Sequence, residues 1–136
     1  MASYSAPLRD MRFVYHELFD SSDISALPGF EEATPDLIDA VLEEAAKVCE
    51  NELFPINRCG DEEGCRYHQG GEVTTPSGFR ECYRAYAEAG WIGLSSDPQY
   101  GGQGLPAAIS TLLEEMVCSS NISFGTYVGL TRGAYR

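Results

Sequence analysis

The stretch Gly-Trp-Ile-Gly-Leu-Ser-Ser-Asp-Pro-Gln-Tyr-Gly-Gly-Gln-Gly-Leu-Pro, residues 90–106, decides how the rest of the chain is organised. It holds the single tryptophan and five of the fourteen glycines. Three of those glycines lie within positions 101–104, which predicts a backbone that adopts positive φ or passes close to another segment. Pro106 suits the first turn of a helix, because that position needs no N–H donor. We therefore predict a shaped corner between two helices.

The alternative interpretation of a glycine-rich corner is a phosphate cradle. The Gly-x-Gly-x-x-Gly fingerprint is missing from residues 90–106, and no strand pattern precedes them. The corner also holds no nucleophile, acid–base pair or cluster of metal ligands. We favour a corner that sets shape over one that binds phosphate.

Upstream of the corner, the clearest helix start in the chain is at Thr34. Thr34 is a good N-cap, Pro35 fits the first helical position, and Asp36 complements the positive end of the helix dipole. Helical spacing then predicts one buried stripe, and Pro55 is predicted to end the helix. The stripe contains Leu37, Ile38, Val41, Leu42, Ala45, Val48, Cys49 and Leu53.

The segments on either side of that helix carry weaker patterns. Asp10 is predicted to cap a short helix that buries one face, with His16 as a polar surface residue. That face contains Met11, Val14, Leu18 and, at its edge, Tyr15. Residues 21–30 are expected to form a connector. Residues 56–74 are expected to form one long loop, extended only at 72–74.

Three further helices are predicted around and after the corner. Thr75 and Pro76 are expected to start the first, and Gly90 to stop it. Pro106 opens the second, and residues 119–121 break it. Ser123 is predicted to cap the last. With no alternating strand pattern in the chain, we predict an all-α fold: a bundle of four to five helices with one long loop.

Composition and charge bound the function classes. The hydrophobic content of 43% is typical of a globular domain, and the net charge is −12, of which −11 falls in residues 1–65. Such a balance excludes a nucleic-acid binder and an anionic-membrane binder, since both need clustered Lys and Arg. No run is apolar enough to span a bilayer, and the start lacks a signal-peptide pattern. We expect a cytoplasmic protein.

The five cysteines are expected to be reduced thiols, because their number is odd and no signal peptide is predicted. Cys49, Cys82 and Cys118 fall on apolar helical positions and are interpreted as core residues. An alternative interpretation of Cys59, Cys65 and His68 is a zinc site. Its cysteines stand further apart than the two to four residues typical of such sites, so a polar loop is the favoured interpretation and no metal is expected.

The corner and its flanks resemble the N-terminal helical domain of acyl-CoA dehydrogenases. The resemblance is carried by the corner itself and by TPSGFRE at 75–81, YRAYAEAGW at 83–91, EEM at 114–116, NISF at 121–124 and GLTRGA at 129–134. The start, APLRDMRF at 6–13, resembles the N-terminal extension of the branch that includes 3-methylmercaptopropionyl-CoA dehydrogenases. The whole resemblance implies that the chain has two parts, an extension over residues 1–33 and the helical domain over 34–136. The helical domain is expected to be truncated at its C-terminal end, within a helix that shows no stop before Arg136.

What the resemblance implies chemically is the α,β-dehydrogenation of an acyl-CoA thioester, in which a glutamate removes the α-proton and FAD accepts the β-hydride. In the family the glutamate lies in the C-terminal domain, and the flavin is held mainly by the middle and C-terminal domains. No catalytic residue and no cofactor-binding residue is therefore predicted here. FAD is expected in the full-length enzyme and not on this chain alone.

In the family, the N-terminal domain forms one wall of the slot that holds the acyl chain. Carried over to this sequence, the resemblance places that wall on the last helix, at Phe124, Tyr127, Val128 and Thr131, with Tyr100 and Gln103 of the corner as weaker candidates. Arg132 interrupts the apolar character of that helix. An ordinary helical core is the alternative interpretation of the same residues.

Two interpretations of the whole chain remain beside the metal site. The favoured one is the N-terminal portion of an acyl-CoA dehydrogenase, inactive alone, whose partners are the middle and C-terminal domains or other subunits and the acyl-CoA. The other is a stand-alone acidic helical module for interaction or oligomerisation, without enzymatic activity. Both predict an exposed apolar face on the last helix, through which the chain could form a homo-oligomer.

Overall fold

A computed structural model describes residues 3–135, which form a helical bundle with one small hairpin. In chain order the elements are α1 (Leu8–Arg12), which continues as a π-helical turn (Phe13–Leu18), α2 (Ser21–Ser25), α3 (Pro35–Val48), a second π-helical turn (Cys49–Leu53), α4 (Phe54–Glu63), β1 (Arg66–Tyr67), β2 (Val73–Thr74), α5 (Phe79–Glu88) and α6 (Ala107–Tyr135). The all-α fold class is confirmed. Arg136 lies outside the described residues.

The core is one cluster to which α3, α5 and α6 contribute most of the buried side chains. Its fully buried side chains include Ile38 and Leu42 of α3, Leu53 of the second π-helical turn, and Met116 and Phe124 of α6. The Phe124 ring meets the Tyr86 ring edge-on at a centroid distance of 5.4 Å. Edge-to-face aromatic pairs of this kind hold an orientation as well as burying area. The last helix is therefore anchored in the centre of the bundle.

The start of α3 is as predicted, but its end is not. The Thr34 Oγ1 accepts a hydrogen bond from the Leu37 N–H at 3.3 Å, and Pro35 occupies the first turn. The helical path does not stop at Pro55: it passes through the second π-helical turn and continues as α4 to Glu63. Pro55 lies in the first turn of α4, where a missing N–H is tolerated because the change in hydrogen-bond register begins a new helix.

The predicted long loop at 56–74 is consequently absent from the described structure. Its first half belongs to α4, and its second half is an antiparallel hairpin in which Arg66 pairs with Thr74 and Tyr67 with Val73. Gly70 and Gly71 form the turn with φ values of 101° and 89°. The extended conformation expected at 72–74 is confirmed for Val73 and Thr74.

The N-terminal extension differs from its prediction in three respects. The first helix starts at Leu8 rather than at an Asp10 cap, and its buried residues are Met11 and Tyr15. Leu18 is 61% exposed, because the π-helical turn rotates it off the buried face. The connector at 21–30 begins with the short helix α2, capped by Asp20, whose carboxylate accepts from the Ser22 N–H.

His16, predicted to be a simple surface residue, instead joins the extension to α3. Its Nε2 lies 3.0 Å from Asp39 Oδ1, and its Nδ1 lies 2.8 Å from the buried Ser21 hydroxyl. Arg12 donates to the same Asp39 oxygen at 3.0 Å and to Glu43 at 2.6 Å. We call these five residues the clamp. It ties the extension and α3 together.

Helix α5 starts at Phe79, four residues after the predicted Thr75 cap. Gly78 precedes it with φ of 83°, a left-handed conformation that ordinary residues rarely adopt. Residues 75–77 lie outside α5, and the Ser77 N–H and hydroxyl both donate to Glu63 of α4. The predicted stop at Gly90 is confirmed, with φ of 81° directly after the helix.

Helix α6 bends sharply within the predicted break at 119–121. Asn121 leaves the helical conformation, with φ of −158° and ψ of 89°. Its side-chain oxygen accepts from the Phe124 N–H at 3.0 Å, so Asn121 rather than Ser123 caps the last segment. Its Nδ2 donates to the Leu53 carbonyl at 3.0 Å. No helix in the described part of the chain combines the length and the apolar character that a membrane span requires.

Candidate functional site

The corner at 90–106 is folded onto itself by its own backbone. The Gln103 N–H donates to Gly93, Gly104 to Ser96, and Leu105 to Leu94, at 2.9 to 3.0 Å. A Cβ on Gly102 would lie 2.1 Å from the Ser96 carbonyl oxygen, so only glycine allows the two passes of chain to approach this closely. The corner is a shape-setting element, as predicted.

The same hydrogen bonds decide whether the glycine-rich corner can bind a phosphate group. A phosphate cradle needs backbone N–H groups that point outward and are free to donate. In the corner the N–H groups of residues 101–105 all donate to carbonyl oxygens within the corner. None of these five N–H groups is left to donate to a phosphate group. The glycine-rich part of the corner, residues 101–104, is therefore not a phosphate cradle.

The second half of α6 contributes residues to two concave surfaces. The first is a cavity of about 220 Å³ between the corner, α5 and both halves of α6. Its lining includes Trp91, Val117, Val128, Gly129 and Arg132. The second is a wide groove of about 1110 Å³ between the hairpin, α5 and Tyr127.

The polar end of the cavity is an ion pair. Arg132 Nη1 lies 3.1 Å from Glu114 Oε1 and donates to the Ser110 carbonyl at 3.2 Å. The Arg132 side chain is only 14% exposed. Burying a guanidinium is costly unless it is paired, and Glu114 provides that charge. Arg132, which the sequence marked as an interruption, is thus accommodated against the first half of α6.

The groove is flanked by a thiol–phenol contact. Cys65 Sγ lies 3.7 Å from the Tyr127 hydroxyl. That contact, with partial burial, raises the pKa of Tyr127 above its ordinary value. A neutral phenol is therefore the form present near pH 7, suited to hydrogen bonding and not to proton abstraction.

The six residues predicted for the acyl wall do not lie on one surface. Phe124 is fully buried in the core, and Val128 lines the cavity. Tyr127 borders the groove, and Thr131 is exposed on the same helix. Tyr100 is 74% exposed at the tip of the corner, while the Gln103 side chain turns back and donates to the Gly90 carbonyl at 3.1 Å. Their role as an acyl wall stays a prediction.

The residues considered for zinc are held by separate partners. Cys59 donates to the Ser77 carbonyl at 3.1 Å, Cys65 contacts Tyr127, and His68 Nε2 lies 2.8 Å from the Thr74 hydroxyl. Within residues 3–135, no three His, Cys, Asp or Glu side chains are grouped so as to hold a metal ion.

The carboxylates with displaced pKa values are shifted away from what a general base needs. Hydrogen bonds from the Ser77 N–H and hydroxyl lower the pKa of Glu63, and backbone N–H groups at Glu31 and Gly29 lower that of Glu31. A general base at neutral pH needs a pKa raised towards 7. These groups are structural acceptors.

Sequence reasoning missed two contributors to this region. Tyr86 lines the cavity, and Glu114 pairs with Arg132. The partner of Arg132 stands eighteen positions earlier on the other side of a bend, so helical periodicity could not find it. The Asn121 cap could have been found from its residue type, since Asn is a preferred N-cap.

Comparison with known proteins identifies the domain. The family model for the acyl-CoA dehydrogenase N-terminal domain matches residues 36–135. The chain is 35% identical to 3-methylmercaptopropionyl-CoA dehydrogenase of Ruegeria pomeroyi and 30% identical to a butyryl-CoA dehydrogenase of Syntrophomonas wolfei. Each alignment covers 97% of this chain and 22% of the relative. A second butyryl-CoA dehydrogenase of Syntrophomonas wolfei is 29% identical over the same shares.

The alignments include the extension before residue 36, so the similarity to the Ruegeria protein extends through both predicted parts of the chain. The chain nevertheless spans about a fifth of the length of these relatives. Sequence, fold and comparison agree: the chain belongs to the acyl-CoA dehydrogenase family, a family of FAD flavoproteins, as its N-terminal helical domain.

Proposed function

We propose that this chain is the N-terminal portion of an FAD-dependent acyl-CoA dehydrogenase, where it builds one wall of the acyl slot. The observation that carries the proposal is the alignment of 97% of the chain with a relative named 3-methylmercaptopropionyl-CoA dehydrogenase. The middle and C-terminal domains, or other subunits, are its partners, and an acyl-CoA is the substrate of the assembled enzyme.

The proposal places the acyl wall on this chain and the flavin site on the partner domains. The N–H groups of residues 101–105 donate within the corner, and the chain is strongly acidic, with a net charge of −12. A dinucleotide needs free N–H donors or basic side chains around its phosphates. In this proposal, FAD is held by the partner domains, and this chain contributes shape and apolar surface.

The surface available for those partners lies on the last half of α6. Ile122 is 66% exposed, Leu130 72% and Tyr127 39%. Apolar side chains that cluster on one exposed helix mark interaction surfaces more often than isolated ones do. On this helix, Tyr127 and Thr131 are the residues of the predicted wall that are exposed and accessible to an acyl chain.

The proposal is tested by a chimera in which this chain replaces the aligned N-terminal region of the Ruegeria relative. The chimera is expected to bind FAD and to show acyl-CoA-dependent bleaching of the flavin absorbance. A chimera that holds FAD and stays oxidised with acyl-CoA, where the parent bleaches, would contradict the wall role.

Point variants in the chimera then locate the wall. Tyr127→Ala and Thr131→Ala are expected to raise KM for the acyl-CoA by about five- to tenfold, since each removes roughly 1 kcal/mol of ligand contact. Tyr67→Ala is the matched control, because Tyr67 is 75% exposed on the hairpin. Equal KM values in all variants would place the acyl chain elsewhere.

The stand-alone interaction module remains the competing function, favoured by the same exposed residues on α6. It predicts that the chain forms a stable oligomer by itself and that the chimera is inactive. Sequencing the coding DNA beyond Arg136 separates the two further, because an open frame that continues into the remaining domains is expected only for the enzyme.

A further inference from the structure

The cavity between the corner and α6 is a candidate for a ligand site independent of the acyl wall. Of the six residues predicted for that wall, Val128 alone lines it, while Tyr127 borders the groove instead. An inference about the cavity therefore goes beyond the proposed function and does not depend on it.

The walls of the cavity are apolar and its floor is open. Trp91, Ile92, Leu113 and Val117 supply the walls. Gly129 forms part of the floor, and a Cβ built on it would meet no atom within 4 Å. The volume of about 220 Å³ exceeds that of an engineered apolar cavity of about 150 Å³ that binds benzene. A ring-sized molecule therefore fits.

One end of the cavity offers hydrogen-bond donors. Tyr86 is 3% exposed and lines the cavity, and its phenol hydroxyl is a hydrogen-bond donor. Burial raises the pKa of Tyr86 above its ordinary range, so the hydroxyl keeps its proton. Arg132 lies at the same end, and its Nη2 is buried without a partner among the described residues.

The charge balance at this end selects a neutral ligand. Arg132 is already paired with Glu114 at 3.1 Å, so a carboxylate would enter next to a neutralised cation and an existing anion. Moving an uncompensated charge into such a site is costly, whereas a carbonyl oxygen needs only a donor. We propose that this cavity binds a small uncharged molecule with an apolar body and one carbonyl oxygen, which accepts a hydrogen bond from the Tyr86 hydroxyl.

The test uses benzamide as the probe and the Trp91 indole N–H resonance as the reporter. Trp91 is the only tryptophan and lines the cavity, so an isotope-labelled chain gives one indole signal at the site. Benzamide is expected to shift this signal in a saturable manner. Benzoate, which has the same shape and a negative charge, is expected to bind at least about fivefold more weakly.

Two variants and one control connect the binding to the cavity. Gly129→Leu fills the open floor and is expected to abolish the saturable shift. Gly133→Leu is its matched control on the same helix, because a Cβ there also meets no atom within 4 Å and Gly133 does not line the cavity. Tyr86→Phe removes the donor and is expected to raise Kd about fivefold, the effect of one hydrogen bond.

Circular dichroism and the thermal midpoint establish that each variant is folded before binding is measured. The proposal is overturned if benzamide gives no saturable shift in the parent chain, or if folded Gly129→Leu binds it as tightly as Gly133→Leu does. Binding of benzoate tighter than that of benzamide would overturn the neutral-ligand assignment. These results are independent of the chimera, which measures a different surface.

Discussion

At the scale of single residues, Asn121 is a buried polar side chain that connects two parts of the fold. It is 1% exposed, caps the second half of α6 through the Phe124 N–H, and donates to the Leu53 carbonyl of the second π-helical turn. The substitution Asn121→Ala leaves a buried carbonyl and a helix N–H without partners. We expect a loss of about 2–4 kcal/mol in the free energy of unfolding, measured by urea denaturation.

Asn57→Ala is the matched control for that substitution, since Asn57 is exposed on α4. It is expected to change the free energy of unfolding by less than about 0.5 kcal/mol. Equal effects of the two substitutions would mean that the bend in α6 is held by apolar packing rather than by Asn121.

Gly102 is the second residue whose identity is dictated by its contacts. Its φ is not in the left-handed region, so the constraint is purely steric: a Cβ would lie 2.1 Å from the Ser96 carbonyl oxygen. Gly102→Ala is expected to destabilise the chain by about 1–3 kcal/mol, because backbone must move to make room. Gly133→Ala, with open space around its Cβ and a helical position, is expected to stabilise it by up to about 1 kcal/mol. Thermal unfolding of both variants provides the measurement.

At the scale of elements, the clamp joins the N-terminal extension to α3 and makes that union sensitive to acid. Partial burial opposes ionisation of Asp39, but hydrogen bonds from His16 and Arg12 outweigh it and lower the pKa of the carboxyl below its ordinary value. A lowered pKa stabilises the folded state above the unfolded pKa, and this contribution is lost as pH falls through the folded value. The loss is therefore expected below about pH 4.

The substitution Asp39→Asn tests whether the carboxyl of Asp39 makes stability fall as the pH falls. The parent chain is expected to lose stability between about pH 4 and about pH 2.5, and the variant, already less stable at pH 7, is expected to lose less over that range. Asp61→Asn, at an exposed position on α4, is the control and is expected to follow the parent. Denaturant midpoints across the pH range supply the data. Parallel curves for parent and Asp39→Asn would contradict a role of the clamp in acid sensitivity.

At the scale of the whole molecule, we expect the exposed apolar residues of α6 to govern association. Leu130 is 72% exposed and Ile122 66%, on a helix whose inner face is anchored in the core. We expect the chain alone to associate as its concentration rises, because this face gains from removal from water. Leu130→Gln is expected to shift association to higher concentration in sedimentation velocity, whereas Leu27→Gln, 52% exposed on the extension, is not. A monomer at all concentrations would contradict this expectation.

What the sequence by itself determined was local in origin. The Thr34–Pro35 helix start, the Gly90 stop, the glycine corner and the break at 119–121 each depend on the conformational preferences of a few adjacent residues, and each is present in the structure. Helical periodicity likewise identified Ile38, Leu42 and Leu53 as buried. Those preferences act over one or two turns, so they can be recognised without knowledge of the fold.

Only the tertiary structure decided how these parts were used. The helix continues past Pro55 because a π-helical turn changes its register, and residues 64–74 contain a hairpin whose pairing joins positions six and eight apart. The clamp, the Arg132–Glu114 pair and the Asn121–Leu53 bond join residues that are distant in sequence. Such contacts form only when separate helices pack, since their free energy depends on burial and on partners that no local pattern specifies.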